Sequence, residues 1–233
     1  MKRIAIVLVI LVFVFFAYLG FQAASNINPN SSGGNLPANA ATALAKAQQN
    51  YILVHVDDLS RDKPNLISVW GVFVYYAGAN QVMFIPMMPS HDATVQSSLS
   101  AAFSLDKKGQ VNSKFIVELN KKFDVDITGV ITTDNTGLSL FNALITGQNT
   151  PILAAPPQTD DEKHVVLTNS QFFFQSVCSA VTNRNIALFE AIDWSQLVPG
   201  HFVTTLPFET IMADVQKLVQ STAINQCSVL SNE

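Results

Sequence analysis

The sequence predicts an α/β fold, a layered α/β/α domain with a central mixed sheet flanked by helices, behind one N-terminal membrane helix. Three observations carry that expectation. Ile4–Phe21 is a run of eighteen residues without a charge, preceded by Lys2 and Arg3. Beyond residue 50, short apolar runs alternate with segments whose apolar residues recur at helical spacing, the pattern of a sheet covered by helices. Only 13% of the 233 residues are charged and 48% are hydrophobic, which excludes disorder over most of the length and leaves room for one sizeable domain behind a leader.

Residues 1–3 read as a cytoplasmic tip and 4–21 as a membrane anchor or signal segment. Secretory cores usually span about 7–15 residues, so this run is long for a signal and adequate for a slightly short membrane helix. Removal as a signal peptide is the alternative, with Ala23-Ala24-Ser25 as a small-residue cleavage site. Positive charge before the run and none close after it keeps the N-terminus inside and the rest outside. The expected location is therefore a bacterial cell membrane crossed once, with an extracytoplasmic domain. Residues 22–49 read as a flexible linker: Asn26–Asn39 is Asn, Ser, Gly and Pro without a hydrophobic period, and Ala40–Gln49 is Ala-rich enough for a short helix.

The domain occupies residues 50–233. Tyr51–Val56, Leu66–Tyr76 and Gln81–Ile85 are apolar runs of strand character, the last two joined by a hairpin-like turn at Ala77-Gly78-Ala79-Asn80. Asn112 caps a helix with Phe115, Ile116, Leu119 and Phe123 on one face and Lys121 and Lys122 toward solvent. Thr128–Thr133 follows as a strand, and Leu138, Phe141, Leu144 and Ile145 return to helical spacing. Lys163–Thr168 is β-branched enough for a further strand before a helix over Gln171–Thr182. Pro207 suits a first helical position, Glu209 a first turn, and Ile211, Met212, Val215, Leu218 and Val219 make one stripe.

Lys2, Arg3 and Lys46 are the only charged residues before Asn50, so the domain carries 10 basic and all 17 acidic residues, a net charge of −7. An acidic body without a basic stripe argues against nucleic acid as a partner. Cys178 and Cys227 are the only cysteines, placed in predicted C-terminal helices or their ends. In an exported chain such a pair favours a disulfide, two buried thiols being the alternative, and two cysteines alone make a poor zinc or redox centre.

Chemistry-bearing motifs are few. There is no phosphate loop, nucleophile elbow, His-Glu-x-x-His or dinucleotide fingerprint, and His55, His91, His164 and His201 show no ligand spacing. The one dense polar cluster is Asp57-Asp58-Leu59-Ser60-Arg61-Asp62, just past the carboxyl end of the first predicted strand. Open α/β sheets bind ligands at that place. Asp57 and Asp58 are candidates for holding a hard divalent cation that bridges phosphate oxygens, with Arg61 clamping the same phosphates; a solvated turn is the plain alternative.

Asn50-Tyr-Ile-Leu-Val-His-Val-Asp57 resembles the opening strand of the LytR-CpsA-Psr family, which ends in Gly-x-Asp before an arginine-containing loop. Val82-Met-Phe-Ile-Pro86 resembles the strand leading to that family's Ile-Pro-Arg-Asp, and Ser98–Phe103 its Leu-Asn-Ala-Ala-Tyr. Phe123–Val130 through Leu138–Leu144 resembles the stretch leading to its Val-Asp-x-Leu-Gly-Gly, Gln171 its Arg-Gln helix, and Phe202–Leu206 its Thr-Asp-Leu. The resemblance implies an α/β fold and a phosphotransferase that moves a glycopolymer from a polyprenyl-pyrophosphate carrier to a cell-wall acceptor, with Mg²⁺ on aspartates, arginines on the pyrophosphate and the lipid in an apolar tunnel.

The chain departs from the family where that chemistry lies. Arg-Ser-Asp stands here as Lys63-Pro64-Asn65, the Arg-Asp of Ile-Pro-Arg-Asp as Met87-Met88, and Ser170 replaces the arginine before Gln171. Losing one such donor costs about two to three orders of magnitude in rate. The expectation is a divergent, catalytically impaired relative that binds a polyprenyl-linked or other lipid, with Phe84, Met87, Met88, Gln171 and Phe174 as ligand-binding candidates and cell-wall polymer as a further partner. An active transferase using Asp57, Asp58 and Arg61 is the first alternative, and an unrelated envelope interaction domain the second.

Overall fold

The alternation of β1 (Gln48–Val56) builds the centre of the protein. Ile52, Val54 and Val56 are fully buried in one apolar cluster, while Leu53 belongs to the cluster on the opposite face, as the period of two requires. The computed structural model describes residues 48–76, 80–147, 154–182, 193–220 and 224–231. The leader, most of the linker and the residues 77–79 of the expected hairpin turn lie outside them, as does Arg184. Gln48 and Gln49, read as the end of a short helix, open β1 instead.

β1 lies in a six-stranded mixed sheet with β2 (Leu66–Tyr75), β3 (Asn80–Met88), β4 (Gly129–Asp134), β5 (Phe202–Thr204) and β6 (Ile224–Val229), in the order β5-β4-β1-β2-β3-β6. β1, β2 and β3 form an antiparallel meander. β4 joins β1 and β6 joins β3 in parallel, and β5 runs antiparallel to β4. Helices cover both faces, the layered arrangement the sequence predicts.

On one face, α1 (Ala93–Ala102) and α2 (Ser113–Phe123) bury Leu99, Phe115 and Leu119 against Ile52, Val54, Val69 and Met87. α2 starts where its sequence directs, Asn112 accepting a hydrogen bond from the Phe115 amide at 2.9 Å, and stops at Asp124 in the left-handed region (φ 51°). On the other face, α3 (Asn135–Thr146) and α4 (Asp160–Thr182) pack Leu138, Leu167, Phe173 and Phe174 against Trp70, Val82 and Phe84. Phe174 lies 4.5 Å from Phe84 and 4.7 Å from Trp70 between ring centroids.

Three further expectations are corrected. Lys163–Thr168 is helical, part of α4, because the preceding segment caps a helix: the Glu162 amide donates to Thr159 Oγ1 at 3.2 Å and the Thr159 amide to a Glu162 carboxylate oxygen at 3.1 Å. Val166 and Leu167, adjacent in sequence, are both buried on the inner side of α4 while Val165 is exposed. Cys227 lies in β6, not at a helix end. Pro207 precedes α5 (Phe208–Gln220), its carbonyl accepting from the Thr210 amide at 2.9 Å. No helix among the described residues is long and apolar enough to cross a membrane, and Ile4–Phe21 lies outside them.

Candidate functional site

Two parallel strands, β1 and β4, end side by side, with His55 opposite Thr133 and Val56 opposite Asp134. The loop after β1 folds on Asp57. One carboxylate oxygen of Asp57 accepts from the amides of Asp58 (2.9 Å) and Asn65 (2.8 Å), and the other from Asn65 Nδ2 (2.7 Å) and the guanidinium of Arg61. The Asp57 amide donates to the Asn65 carbonyl at 3.0 Å and closes the loop. Burial works against the ionised form, but the bonds from Asn65 and Asp58 and the charge of Arg61 outweigh it, so the Asp57 carboxyl lies below its usual range. Asp58 is lowered too, chiefly because Oδ1 accepts from the Ser60 hydroxyl (2.7 Å) and amide (2.8 Å).

At the end of β4, Asp134 is 2% exposed and gathers three segments. As the N-cap of α3 it accepts from the Gly137 amide at 2.8 Å, and its other oxygen accepts from the Leu59 amide of the β1 loop at 3.3 Å. Both oxygens face His201 Nδ1, at 3.0 and 3.1 Å. Gly137 is bare at the contact: a Cβ there would stand 2.7 Å from the His201 carbonyl oxygen and 2.9 Å from the Phe202 ring. The neighbouring His55 is 3% exposed, its Nε2 is 2.9 Å from Asn135 Oδ1, and its Nδ1 has no partner among the described residues. Burial pushes its pKa down to about 4 against the raising influence of Asn135, Asp134 and Asp57.

Of the residues singled out in the sequence, Asp57, Asp58 and Arg61 thus share one loop. Arg61 keeps half of its side chain exposed while it pairs with Asp57. Phe84 and Phe174 stack on the α4 face of the sheet, whereas Met87 and Met88 are buried in the cluster on the α1–α2 face. Gln171 lies on α4 with Nε2 3.4 Å from the Leu230 carbonyl. Cys178 of α4 and Cys227 of β6 are joined by a disulfide, their Cα atoms 5.3 Å apart. Among the described residues no three His, Cys, Asp or Glu side chains are grouped closely enough to hold a metal ion.

Sequence reasoning missed the Asp134–His201 pair and its neighbours His55 and Asn135. Asp134 and His201 are 67 residues apart and meet only because β5 pairs with β4, Thr133 opposite Phe202. The available signal was local: an aspartate ending a strand, followed by Asn-Thr-Gly, marks a helix N-cap at a carboxyl edge.

No protein-family model and no curated protein matches the chain. Solved structures do. The chain shares the fold of B. subtilis TagV, with 12% identity, a TM-score of 0.50, and 80% of this chain and 84% of that one covered. Lin1025 from Listeria innocua is similar at 11% identity and a TM-score of 0.47, over 79% of this chain and 82% of its own. TagT bound to LIIa-WTA is similar at 10% identity and a TM-score of 0.43, over 79% and 78%. The shared fold of TagV agrees with the family resemblance read from the sequence.

Proposed function

We infer that this chain is a divergent, membrane-anchored relative of the LytR-CpsA-Psr proteins, working outside the bacterial membrane, that binds a polyprenyl-linked or other lipid ligand and has lost most of the family's metal-assisted phosphotransfer. The arrangement of elements and the shared fold of TagV support the family reading. The anchor is Ile4–Phe21.

The observation that carries the functional reading is the amide of Asn65. Where the resemblance implies a second metal-binding carboxylate, Asn65 donates both its Nδ2 and its backbone amide to Asp57. A carboxylate offers about four lone-pair sites, and Asp58, Asn65 twice and Arg61 face all of them. Mg²⁺ needs carboxylate oxygens free to face it in near-octahedral geometry, and Asp57 with Asn65 beside it does not fit that requirement. Arg61 is the one arginine among the described residues of the domain. Its charge suits a phosphate oxygen better than its present partner suits a metal.

The lipid is assigned to the α4 face, where Phe84, Phe174 and Gln171 sit and where Phe172 is 64% exposed. Met87 and Met88 act from across the sheet, as part of the packing that holds β3 in register. Native mass spectrometry of the full chain, purified from bacterial membranes, tests the proposal. The expected spectrum shows one adduct of polyprenyl phosphate or pyrophosphate mass per chain, without rapid transfer of a linked polymer when Mg²⁺ is added. A chain that arrives empty and takes up no added polyprenyl pyrophosphate sinks the lipid reading. Fast Mg²⁺-dependent transfer sinks the loss of activity.

A further inference from the structure

We propose that His201 is a general base at this edge, oriented by Asp134, which accepts the proton of a sugar hydroxyl attacking the phosphoryl group of the bound ligand. The proposal rests on the reading of the carboxyl edge as the phosphoryl site and adds a proton-transfer group that does not depend on a metal.

The geometry is that of an oriented imidazole. Asp134 already accepts from two backbone amides, Gly137 and Leu59, so the hydrogen bond to His201 is one in which Nδ1–H donates and the carboxylate accepts. A carboxylate holding Nδ1–H fixes the tautomer and leaves Nε2 with its lone pair. Nε2 has no partner among the described residues, and a third of the His201 side chain is exposed. Backbone bonds hold the residue too: the His201 amide donates to the Leu197 carbonyl at 2.7 Å, and the bare Gly137 lets the His201 carbonyl sit against the first turn of α3. Among the described residues, the charged groups facing this imidazole are Asp134, in contact, and Asp58 of the β1 loop. Helix capping alone would need one oxygen of Asp134; the second oxygen and the symmetric approach of Nδ1 go beyond it.

In the step itself, the hydroxyl oxygen forms a bond to phosphorus while the bond from phosphorus to the bridging oxygen of polyprenyl phosphate breaks. The hydroxyl proton passes to Nε2 and then to solvent, and polyprenyl phosphate leaves as the anion. Such general-base assistance contributes about 10²–10⁴-fold.

Two measurements on the full chain test this. In the first, diethyl pyrocarbonate modification is mapped by peptide mass spectrometry. His201 is expected to react faster than the exposed His91 and His164, and more slowly in Asp134→Asn, which still caps α3 but no longer fixes the tautomer. Equal rates at all three histidines, or no change in Asp134→Asn, overturn the assignment. In the second, single-turnover transfer from a polyprenyl-pyrophosphate-linked sugar to a sugar hydroxyl is followed with protein in excess. Wild type is expected to turn over slowly, His201→Gln about 100-fold more slowly with the acid limb of its pH profile removed, and both to keep the lipid adduct. Loaded wild type that transfers nothing, or a loaded His201→Gln that keeps the wild-type rate and pH profile, overturns the proposal. A missing adduct instead overturns the ligand reading and leaves the first measurement to decide the state of His201.

Discussion

β1 and β4 run parallel and adjacent, and each is followed or ended by an aspartate at the same edge, yet the two carboxylates do opposite things. Among the described residues Asp57 accepts only from its own loop, between Asp58 and Asn65, and the result is a self-contained turn to which Arg61 adds its guanidinium. Asp134 accepts from three segments, the first turn of its own helix α3 and two distant ones, the β1 loop and the segment before β5. One carboxylate is consumed by the backbone and side chains of its own loop, and the other gathers the site. The aspartate singled out in the sequence is therefore the chemically saturated one, and the aspartate that sequence reasoning missed is hydrogen-bonded to an imidazole.

The largest test of that contrast is truncation of each. Asp134→Ala strands the amides of Gly137 and Leu59 and removes the partner of the partly exposed His201, and should cost about 4 kcal/mol, measured by urea unfolding, whereas Asp57→Ala leaves donors that water reaches and should cost about 1–2 kcal/mol. Equal losses would break the comparison.

Acid should act next, through the buried histidine of β1 that faces Asn135. His55 titrates in the unfolded chain near its ordinary 6.5 and in the folded protein at about 4, so the unfolded state binds the extra proton between those values. The stability that a neutral His55 confers is complete above about pH 6.5 and falls by about 3 kcal/mol as the pH drops to 4. His55→Ala should flatten that slope, and an unchanged slope would assign it elsewhere. The Asp57 loop, whose carboxyl is lowered, should remain ionised through most of this range.

The smallest effect sharpens the contrast. Asn65→Asp replaces a donor with a second carboxylate beside Asp57, which should cost about 1 kcal/mol without metal and be offset by millimolar Mg²⁺ in a thermal melt. No Mg²⁺ response in the variant would mean that Arg61 and the loop amides, rather than Asn65, exclude the ion.

The strands of the meander were legible because their apolar runs are buried by alternation, as Ile52, Val54 and Val56 show against Leu53. α2 was legible from Asn112 and its apolar stripe. Lys163–Thr168 misled because Val165 and Val166 suggest a strand while the Thr159–Glu162 cap decides the matter upstream. β6 was invisible, since Ile-Asn-Gln-Cys-Ser-Val has too little apolar alternation and becomes a strand through pairing with β3. The site divided in the same way: Asp57, Asp58 and Arg61 are neighbours in sequence, whereas Asp134 and His201 meet only through tertiary pairing.

The covalent bond from Cys178 to Cys227 spans 49 positions that include β5, α5 and His201. A protease that cuts the chain once anywhere between those cysteines therefore releases no fragment until a reductant is added. On a denaturing gel the nicked protein runs as one species without thiol and as two with it.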